Sequence, residues 1–301
     1  MRWYFAIDEG GSNTGIGLHA RLAVLTANMA GGLEPCLLYY GAETEFTGWM
    51  RQHGVKIIPA VPRFIDAIHA AEAAGTFHAY SIGHWLRIGI PLVETENEFV
   101  LYTDCDVVFL RAFDWSQFRP RIFQAAPEFK KDNWNYFNSG VMLLNVAAMR
   151  STYEEFETHI RTRIGHTGTL NYDDQWALNE AYRGYWEKLD PSLNWKPYWG
   201  YSSHAAILHF HGPKLDTIEA VAAGTMQRDN PTAIQLANML DGNIDAYLQW
   251  LNNVADLLQS TSMVQSLRLQ TAASALVRYR NTTPRKTVDT SFMNINLFAE
   301  S

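Results

Sequence analysis

Cysteine is scarce in this chain: Cys36 and Cys105 are the two it has in 301 residues. Two thiols in such a length make no disulfide framework, and their scarcity fits a reducing compartment. Long apolar runs are missing as well. Nothing reaches the roughly eighteen consecutive apolar residues of a membrane span, and the run at the N-terminus, Trp3 to Ile7, is too short for a signal peptide. Positive charge is not in excess either; the net charge of −7 argues against a general nucleic-acid binder. The Gly-x-Gly-x-x-Gly dinucleotide fingerprint and the Gly-Lys-Ser/Thr phosphate loop are both absent. No repeat or low-complexity tract occurs. What remains is 47% hydrophobic and 18% charged, a globular composition. The length suits one large α/β domain with additions, or two domains, with a substantial core.

Against those absences one stretch stands out, Phe99 to Arg111. An apolar run, read as a buried strand, climbs into Asp104, passes Cys105, reaches Asp106 and turns apolar again. If extended geometry continues through the acids, both carboxylates point the same way. Two like charges so close, flanked by apolar residues, call for a positive partner, and a hard divalent cation is the natural one. Cys105 then points into the fold as packing.

Around this stretch the chain alternates. Trp3–Ile7, Pro35–Tyr40 and Val55–Ile58 read as strands; Leu18–Met29, Thr44–His53 and Phe64–Ala74 read as helices. Alternation implies a mostly parallel sheet covered on both faces. Asp8 to Gly15 reads as a loop of turn formers, the way α/β folds begin a nucleotide site or simply a flexible turn. His84–Pro91 predicts a short amphipathic helix. It carries Arg87, a cation able to fork onto a phosphate or a carboxylate, or to form a structural ion pair.

Further on, Ile122–Ala126 predicts a strand, and the polar loop after it carries an exposed-looking Trp134. Tyr136 to Asn145 ends as a buried strand, with Asn138, Ser139 and Gly140 at its edge, small residues that let backbone or ligand approach closely. Ala147–Arg163 predicts a helix. Asp173 and Asp174 begin another, where capping alone accounts for an acid pair. A late strand, Ala206–Phe210, ends in His209-Phe210-His211-Gly212-Pro213-Lys214, a set able to hold a metal and a phosphate. From about Leu215 helical spacing takes over, over Ile244–Leu258 and Met263–Tyr279. Between Gln259 and Val288 all the charges are positive, Arg268, Arg278, Arg280, Arg285 and Lys286, which suits an anionic membrane surface, an acidic acceptor or a solvated helix face.

The ordered set of Asp-x-Asp, Phe137-Asn138-Ser139-Gly140-Val141-Met142-Leu143-Leu144-Asn145, Asp174-Gln175-Trp176-Ala177-Leu178-Asn179 and His209 to Lys214 resembles the family 8 retaining glycosyltransferases, which include lipooligosaccharide galactosyltransferases and glycogenins. The resemblance implies an α/β GT-A nucleotide-diphospho-sugar transferase fold over residues 1–215, followed by a helical C-terminal extension over 216–301. It implies a divalent cation, Mn2+ or Mg2+, on Asp104, Asp106 and His209, and a UDP-sugar donor. Asp8 would contact the uracil, and Arg87 the donor sugar and phosphates. Asn138, Asp174 and Gln175 would hold the donor sugar, while Gly212 and Lys214 would grip the diphosphate. Two departures stand out: Lys214 lies one residue closer to the glycine than is usual in the family and is followed by Leu215, and Gly10-Gly11 replaces an aromatic residue after the first strand.

On this reading a hexose passes with retention to a glycan or glycolipid of the bacterial envelope, lipopolysaccharide or capsule. The leaving phosphate helps to take the acceptor proton, Gln175 positions, and Glu128 either orients the acceptor or is a surface residue. The enzyme is expected to be cytoplasmic, with a peripheral place on the inner membrane face through the basic stretch, and to bind no nucleic acid. Two other readings stand beside it. One is a haloacid-dehalogenase-like phosphatase with Asp104 as nucleophile, whose motif normally follows the first strand. The other is a non-catalytic nucleotide-sugar or glycan binder of the same fold.

Overall fold

In a computed structural model of the chain, residues 1–78, 81–164, 166 and 172–282 are described; Arg285 and Lys286 of the basic stretch lie outside them. The apolar spacing builds β1 (Arg2–Asp8), α1 (Glu9–Ser12), α2 (Gly15–Ala30), β2 (Glu34–Tyr40), α3 (Glu45–Gln52), β3 (Lys56–Pro59) and α4 (Ile65–Ala73). The glycine-rich segment after β1 is one helical turn where a loop was expected. The Asp8 carboxylate accepts from the Gly11 N–H at 2.7 Å and caps it. The next segment is not a single helix but three short turns: α5 (Ile82–Trp85), a 3₁₀ turn (Leu86–Gly89) and α6 (Ile90–Val93). Gly89 precedes Pro91, which lacks the N–H a continuous helix needs.

β4 (Phe99–Thr103), β5 (Val107–Phe109), β6 (Phe123–Pro127) and β7 (Phe137–Asn145) follow, then α7 (Val146–Ser151), α8 (Tyr153–Ile164), α9 (Asp174–Ala181), β8 (Glu187–Lys188) and β9 (Ile207–His209). The helix expected over 147–163 breaks at Thr152. The Thr152 hydroxyl lies near the Ala148 and Met149 carbonyls and 2.8 Å from the Tyr182 hydroxyl, a local bonding pattern that competes with a helix. Trp134 is half-buried, its ring centroid 6.3 Å from that of Trp186.

Four helices close the described chain: α10 (Leu215–Ala222), α11 (Pro231–Asp241), α12 (Ile244–Leu258) and α13 (Met263–Thr282). The first two were not anticipated, although Asn230-Pro231, a cap followed by a first-turn proline, marks the start of α11. In the basic stretch Arg268 pairs with Glu219 at 3.3 Å and Arg280 with Asp245 at 2.7 Å, while Arg278 is exposed. No helix among the described residues is long and apolar enough to cross a membrane.

Among the described residues, seven strands form a sheet in the order β3-β2-β1-β4-β7-β6-β8, and β5 pairs with β9 in a second, two-stranded one. β7 runs antiparallel to both its neighbours; the other pairings in the large sheet are parallel. Alternation along each strand divides the core. Tyr4, Leu38, Tyr102 and Met142 pack on one face, and Trp3, Leu37, Leu101 and Val141 on the other. A third cluster joins Leu22 of α2, Val108 of β5 and Leu208 of β9 to Leu215, Trp250, Leu251 and Leu269 of the C-terminal helices. Both cysteines are free and buried.

One irregularity positions the site. β6 pairs Ala125 with Met142 and then Ala126 with Asn138, so Ser139, Gly140 and Val141 have no partner on β6. Such a bulge frees backbone groups and re-aims side chains.

Candidate active site

The acids follow β4 in a turn, not in the extended continuation that the pattern predicts. The turn itself brings the carboxylates together. Asp104 N–H donates to the Gly140 carbonyl at 2.8 Å and so ties the turn to the bulge. Cys105 points inward, its Sγ 3.3 Å from the Ala6 carbonyl, as the packing reading expects.

Each carboxylate divides its two oxygens between two partners. Asp104 Oδ1 meets Arg87 Nη2 at 2.7 Å, and its Oδ2 lies 3.8 Å from His209 Nε2. Asp106 Oδ2 meets Lys214 Nζ at 2.7 Å, and its Oδ1 lies 3.2 Å from His209 Nε2. The positive partners that the acid pair demands are therefore partly Arg87 and Lys214. The oxygens left over converge with the imidazole. Donor atoms of Asp104, Asp106 and His209 lie within 4.8 Å of one another. Two hard carboxylate oxygens and one imidazole nitrogen are a donor set that fits a divalent cation such as manganese or magnesium.

Burial and pairing set the charges. Burial works to raise the Asp106 carboxyl, but Lys214 and His209 hold it well below the usual carboxylate range. Asp104 is likewise lowered, with Arg87 the main opponent of burial. Burial pushes His209 below its ordinary value, which favours the neutral ring a metal ligand needs.

Gly140 makes this approach sterically feasible. A Cβ there would lie 2.2 Å from His209 Cε1 and 2.8 Å from Asp104 Oδ2. The small residues at the edge of β7 thus admit the neighbouring side chains of the site. Gly212 takes φ +90° in the turn between β9 and α10, a conformation suited to glycine, and delivers Lys214 to Asp106.

Beside the charged cluster lies a set of neutral amides. Gln175, in the first turn of α9, accepts through Oε1 from Asn138 Nδ2 at 3.1 Å and from the Ser139 N–H at 2.9 Å. Asn179 fixes the helix by exchanging two hydrogen bonds with the backbone of Phe137, at 2.9 and 3.0 Å. Arg87 binds both sets. It is buried, donates to the carbonyl and hydroxyl of Ser139 at 3.0 and 2.8 Å, and meets Asp174 at 2.9 Å. Burial pushes the Asp174 carboxyl up to about 6, against the pull of Arg87. Asp173 caps α9 by accepting from Trp176 N–H.

Asp8 ends β1, the strand beside β4. Its Oδ1 accepts from Gly11, and its Oδ2 from the Ser81 hydroxyl and the Gly83 N–H at 2.7 and 2.9 Å. Glu128 is no surface residue: it is buried at the end of β6, with Oε1 3.0 Å from His211 Nε2. Burial opposes its charge, yet His211 holds its carboxyl down to about 2. Three contributors escaped the sequence reading. Tyr102 donates to Asp104 Oδ1 at 3.0 Å, Tyr198 lies 2.8 Å from His211 Nδ1, and the fully buried Asn194 bridges His209 and Asn138. The one available signal for Asn194 was a lone amide between two large apolar residues, Leu193 and Trp195.

The site sits at the carboxyl ends of parallel strands, where open α/β sheets bind ligands. The sheet order and the likeness to solved structures together show a GT-A fold. Among solved structures, the galactosyltransferase LgtC in complex with donor and acceptor sugar analogues aligns at 17% identity with a TM-score of 0.54, covering 79% of this chain and 95% of that one. An active-site mutant of LgtC aligns at 17% and 0.53 over the same shares, 79% and 95%. The bifunctional glycosyltransferase WbbM aligns at 13% and 0.51, covering 71% of this chain and 46% of that one. At these identities the likeness establishes the fold. No protein-family model and no curated protein matches the sequence. The phosphatase reading does not fit this architecture, because the acids follow the fourth strand of the chain and not the first.

Proposed function

We propose that this protein is a metal-dependent, retaining glycosyltransferase that moves glucose or galactose from a UDP-sugar to a glycan or glycolipid in bacterial cell-envelope polysaccharide synthesis. The observation that carries the reading is the convergence of Asp104 Oδ2, Asp106 Oδ1 and His209 Nε2 beside the Asn138–Gln175 amides in a GT-A fold. LgtC, which shares the fold, was crystallised with donor and acceptor sugar analogues.

Mn2+ or Mg2+ held by Asp104, Asp106 and His209 would supply Lewis acidity for a diphosphate leaving group. Lys214 and Arg87 place positive potential at the edge of the same site, and the turn at Gly212 brings the backbone beside Lys214 to grip the diphosphate. Asn138, Gln175 and Asp174 hold the donor sugar, with Asp8 toward the base. Among the described residues, Asp104, Asp106 and Asp174 meet cationic groups, Glu128 meets His211 through Oε1, and Asp173 caps α9. A carboxylate so engaged is a poor covalent nucleophile. This supports a same-face displacement in which the leaving phosphate takes the acceptor proton and the Glu128 carboxylate orients the acceptor hydroxyl.

The test is a panel of sugar nucleotides scored for binding and hydrolysis with and without manganese, with the anomer of the product read by NMR. One UDP-hexose should turn over in a manganese-dependent way, and Asp106→Ala should abolish it. No turnover with any donor leaves the non-catalytic binder of the same fold. Turnover unchanged by Asp106→Ala sinks the metal assignment.

A peripheral place on an anionic membrane is part of this reading. Met263, Val264 and Leu267 on the first turns of α13 are 74%, 77% and 61% exposed, and Arg278 lies on the same helix. Changing the three apolar residues to glutamine should reduce co-sedimentation with phosphatidylglycerol vesicles; unchanged co-sedimentation removes the membrane from the proposal. Truncation is the poorer test, because Leu269, Ala272 and Leu276 of α13 belong to the core.

A further inference from the structure

The orientation of the amides around His209 follows from backbone groups alone. A backbone N–H can only donate. The Gly140 N–H points at Asn138 Oδ1 at 3.1 Å, and the Ser139 N–H at Gln175 Oε1 at 2.9 Å, so both amide oxygens are acceptors. Asn138 Oδ1 lies 2.9 Å from Asn194, which therefore presents its Nδ2 there. That leaves Asn194 Oδ1 facing His209 Nδ1 at 2.9 Å. An amide oxygen only accepts, so Nδ1 carries the proton, and a neutral ring then keeps its lone pair on Nε2.

This outcome runs against the local electrostatics. Nε2 faces Asp106 Oδ1 at 3.2 Å and Asp104 Oδ2 at 3.8 Å. Two carboxylates favour a proton on the nitrogen that faces them, which is the tautomer unable to bind a cation. Asn194 opposes it, because an Nδ1 lone pair would then meet an amide oxygen lone pair. The opposition is rigid. Asn194 is fully buried in a 3₁₀ turn, Pro191–Asn194, capped by Asp190. The next residue, Trp195, is tied to the strand that carries His209: its N–H donates to the Ile207 carbonyl at 3.0 Å, and its carbonyl accepts from the His209 N–H at 2.8 Å.

We propose that Asn194 is a positioning residue that locks His209 in the Nδ1–H tautomer, keeping Nε2 available to a divalent cation against the pull of Asp104 and Asp106. The consequence for metal affinity rests on the divalent-cation site proposed above; the tautomer itself does not.

The experiment uses the full-length protein labelled with 15N-histidine. Long-range 1H–15N spectra of the metal-free protein read the His209 tautomer, with His209→Gln to assign the signal, and manganese affinity is measured by calorimetry. Expected are Nδ1–H in the wild type, Nε2–H in Asn194→Leu, and a manganese affinity lowered about 10- to 100-fold in that variant, as loss of an outer-shell partner does elsewhere. Asn194→Asp keeps an acceptor for Nδ1–H. It should retain the wild-type tautomer and bind manganese within about threefold of wild type, which keeps the test open if the leucine variant does not fold. A wild-type ring found as Nε2–H overturns the lock, as does a folded Asn194→Leu that binds manganese with unchanged affinity. A wild type that shows Nδ1–H but binds no manganese overturns the cation site and leaves the lock standing.

Discussion

Formal charges line the Nε2 side of His209, whereas neutral amides line its Nδ1 side and hold the β7 bulge next to it. Asp104, Asp106, Arg87 and Lys214 compensate one another in pairs, each acid sharing its oxygens between a cation and the imidazole. Asn138, Gln175, Asn179 and Asn194 hold their places by directed hydrogen bonds to backbone and to each other. Charges act over distance and tolerate small displacements, but they respond strongly to the loss of a partner. Amides carry less energy and more directional information. One side can thus select a charged ligand while the other sets the orientation of whatever is bound.

The sharpest break of this contrast is at Gly140, which touches both sides. Gly140→Ala puts a Cβ into His209 and Asp104. We expect manganese binding to fall below detection by calorimetry, with a stability loss on the order of 1–3 kcal/mol in urea titration. Near-normal binding in that variant shows that the two sides are not packed through this glycine.

Asp106→Ala removes one proposed ligand and strands Lys214. Donor turnover should drop at least about 100-fold. Stability should drop by about 2 kcal/mol, less than for a fully buried pair because the Lys214 side chain is partly exposed. Adding Lys214→Met should recover part of the stability and none of the turnover. Recovery of turnover in the double variant removes Asp106 from the ligand set.

On the amide side, Gln175→Ala leaves the Ser139 N–H and the Asn138 amide without their acceptor. Turnover should fall about 10- to 100-fold while manganese affinity stays within about threefold. A parallel loss of metal affinity merges the two sides into one unit.

The smallest effect concerns Lys196, fully buried behind the amides, with Nζ donating to the Pro127 carbonyl at 2.6 Å. Burial lowers its amine from an ordinary 10.5 to about 7, against the pull of Glu128. A base whose folded pKa lies below its unfolded one costs the fold most where both states are protonated, here below pH 7. That cost fades as pH rises toward 10.5. Between pH 7 and 9 the wild type should therefore gain about 1–2 kcal/mol relative to Lys196→Met, read from urea midpoints. Parallel pH profiles show that Lys196 is fully charged in the fold.

What was legible in the sequence follows the same division. The first strands and helices were clear, because Trp3–Ile7 and the segments after it carry unbroken apolar periodicity. Asp104 and Asp106 were clear as well, since paired acids in an apolar run are a chemical anomaly at any distance from their partners. The β6–β7 register shift was not, because it depends on which residue of β7 meets Ala126, and alternation alone does not number a partner strand. Asn194 was hidden for a similar reason: its importance lies in two contacts made by folding, with His209 and Asn138. The break at Thr152 turns on one hydroxyl, too local to interrupt a periodic pattern.

The pairing of β5 with β9 also bears on how the protein is made. A ribosome delivers the acid turn long before it delivers His209 and Lys214, and later still the helices that cover Val108 and Leu208. Arg87 is already present when Asp104 and Asp106 emerge, so it alone of the site's cations can offset the pair in the growing chain. Completion of the site therefore waits for His209 and Lys214 to emerge and is tied to burial of the helices that follow them on the strand that brings the histidine home.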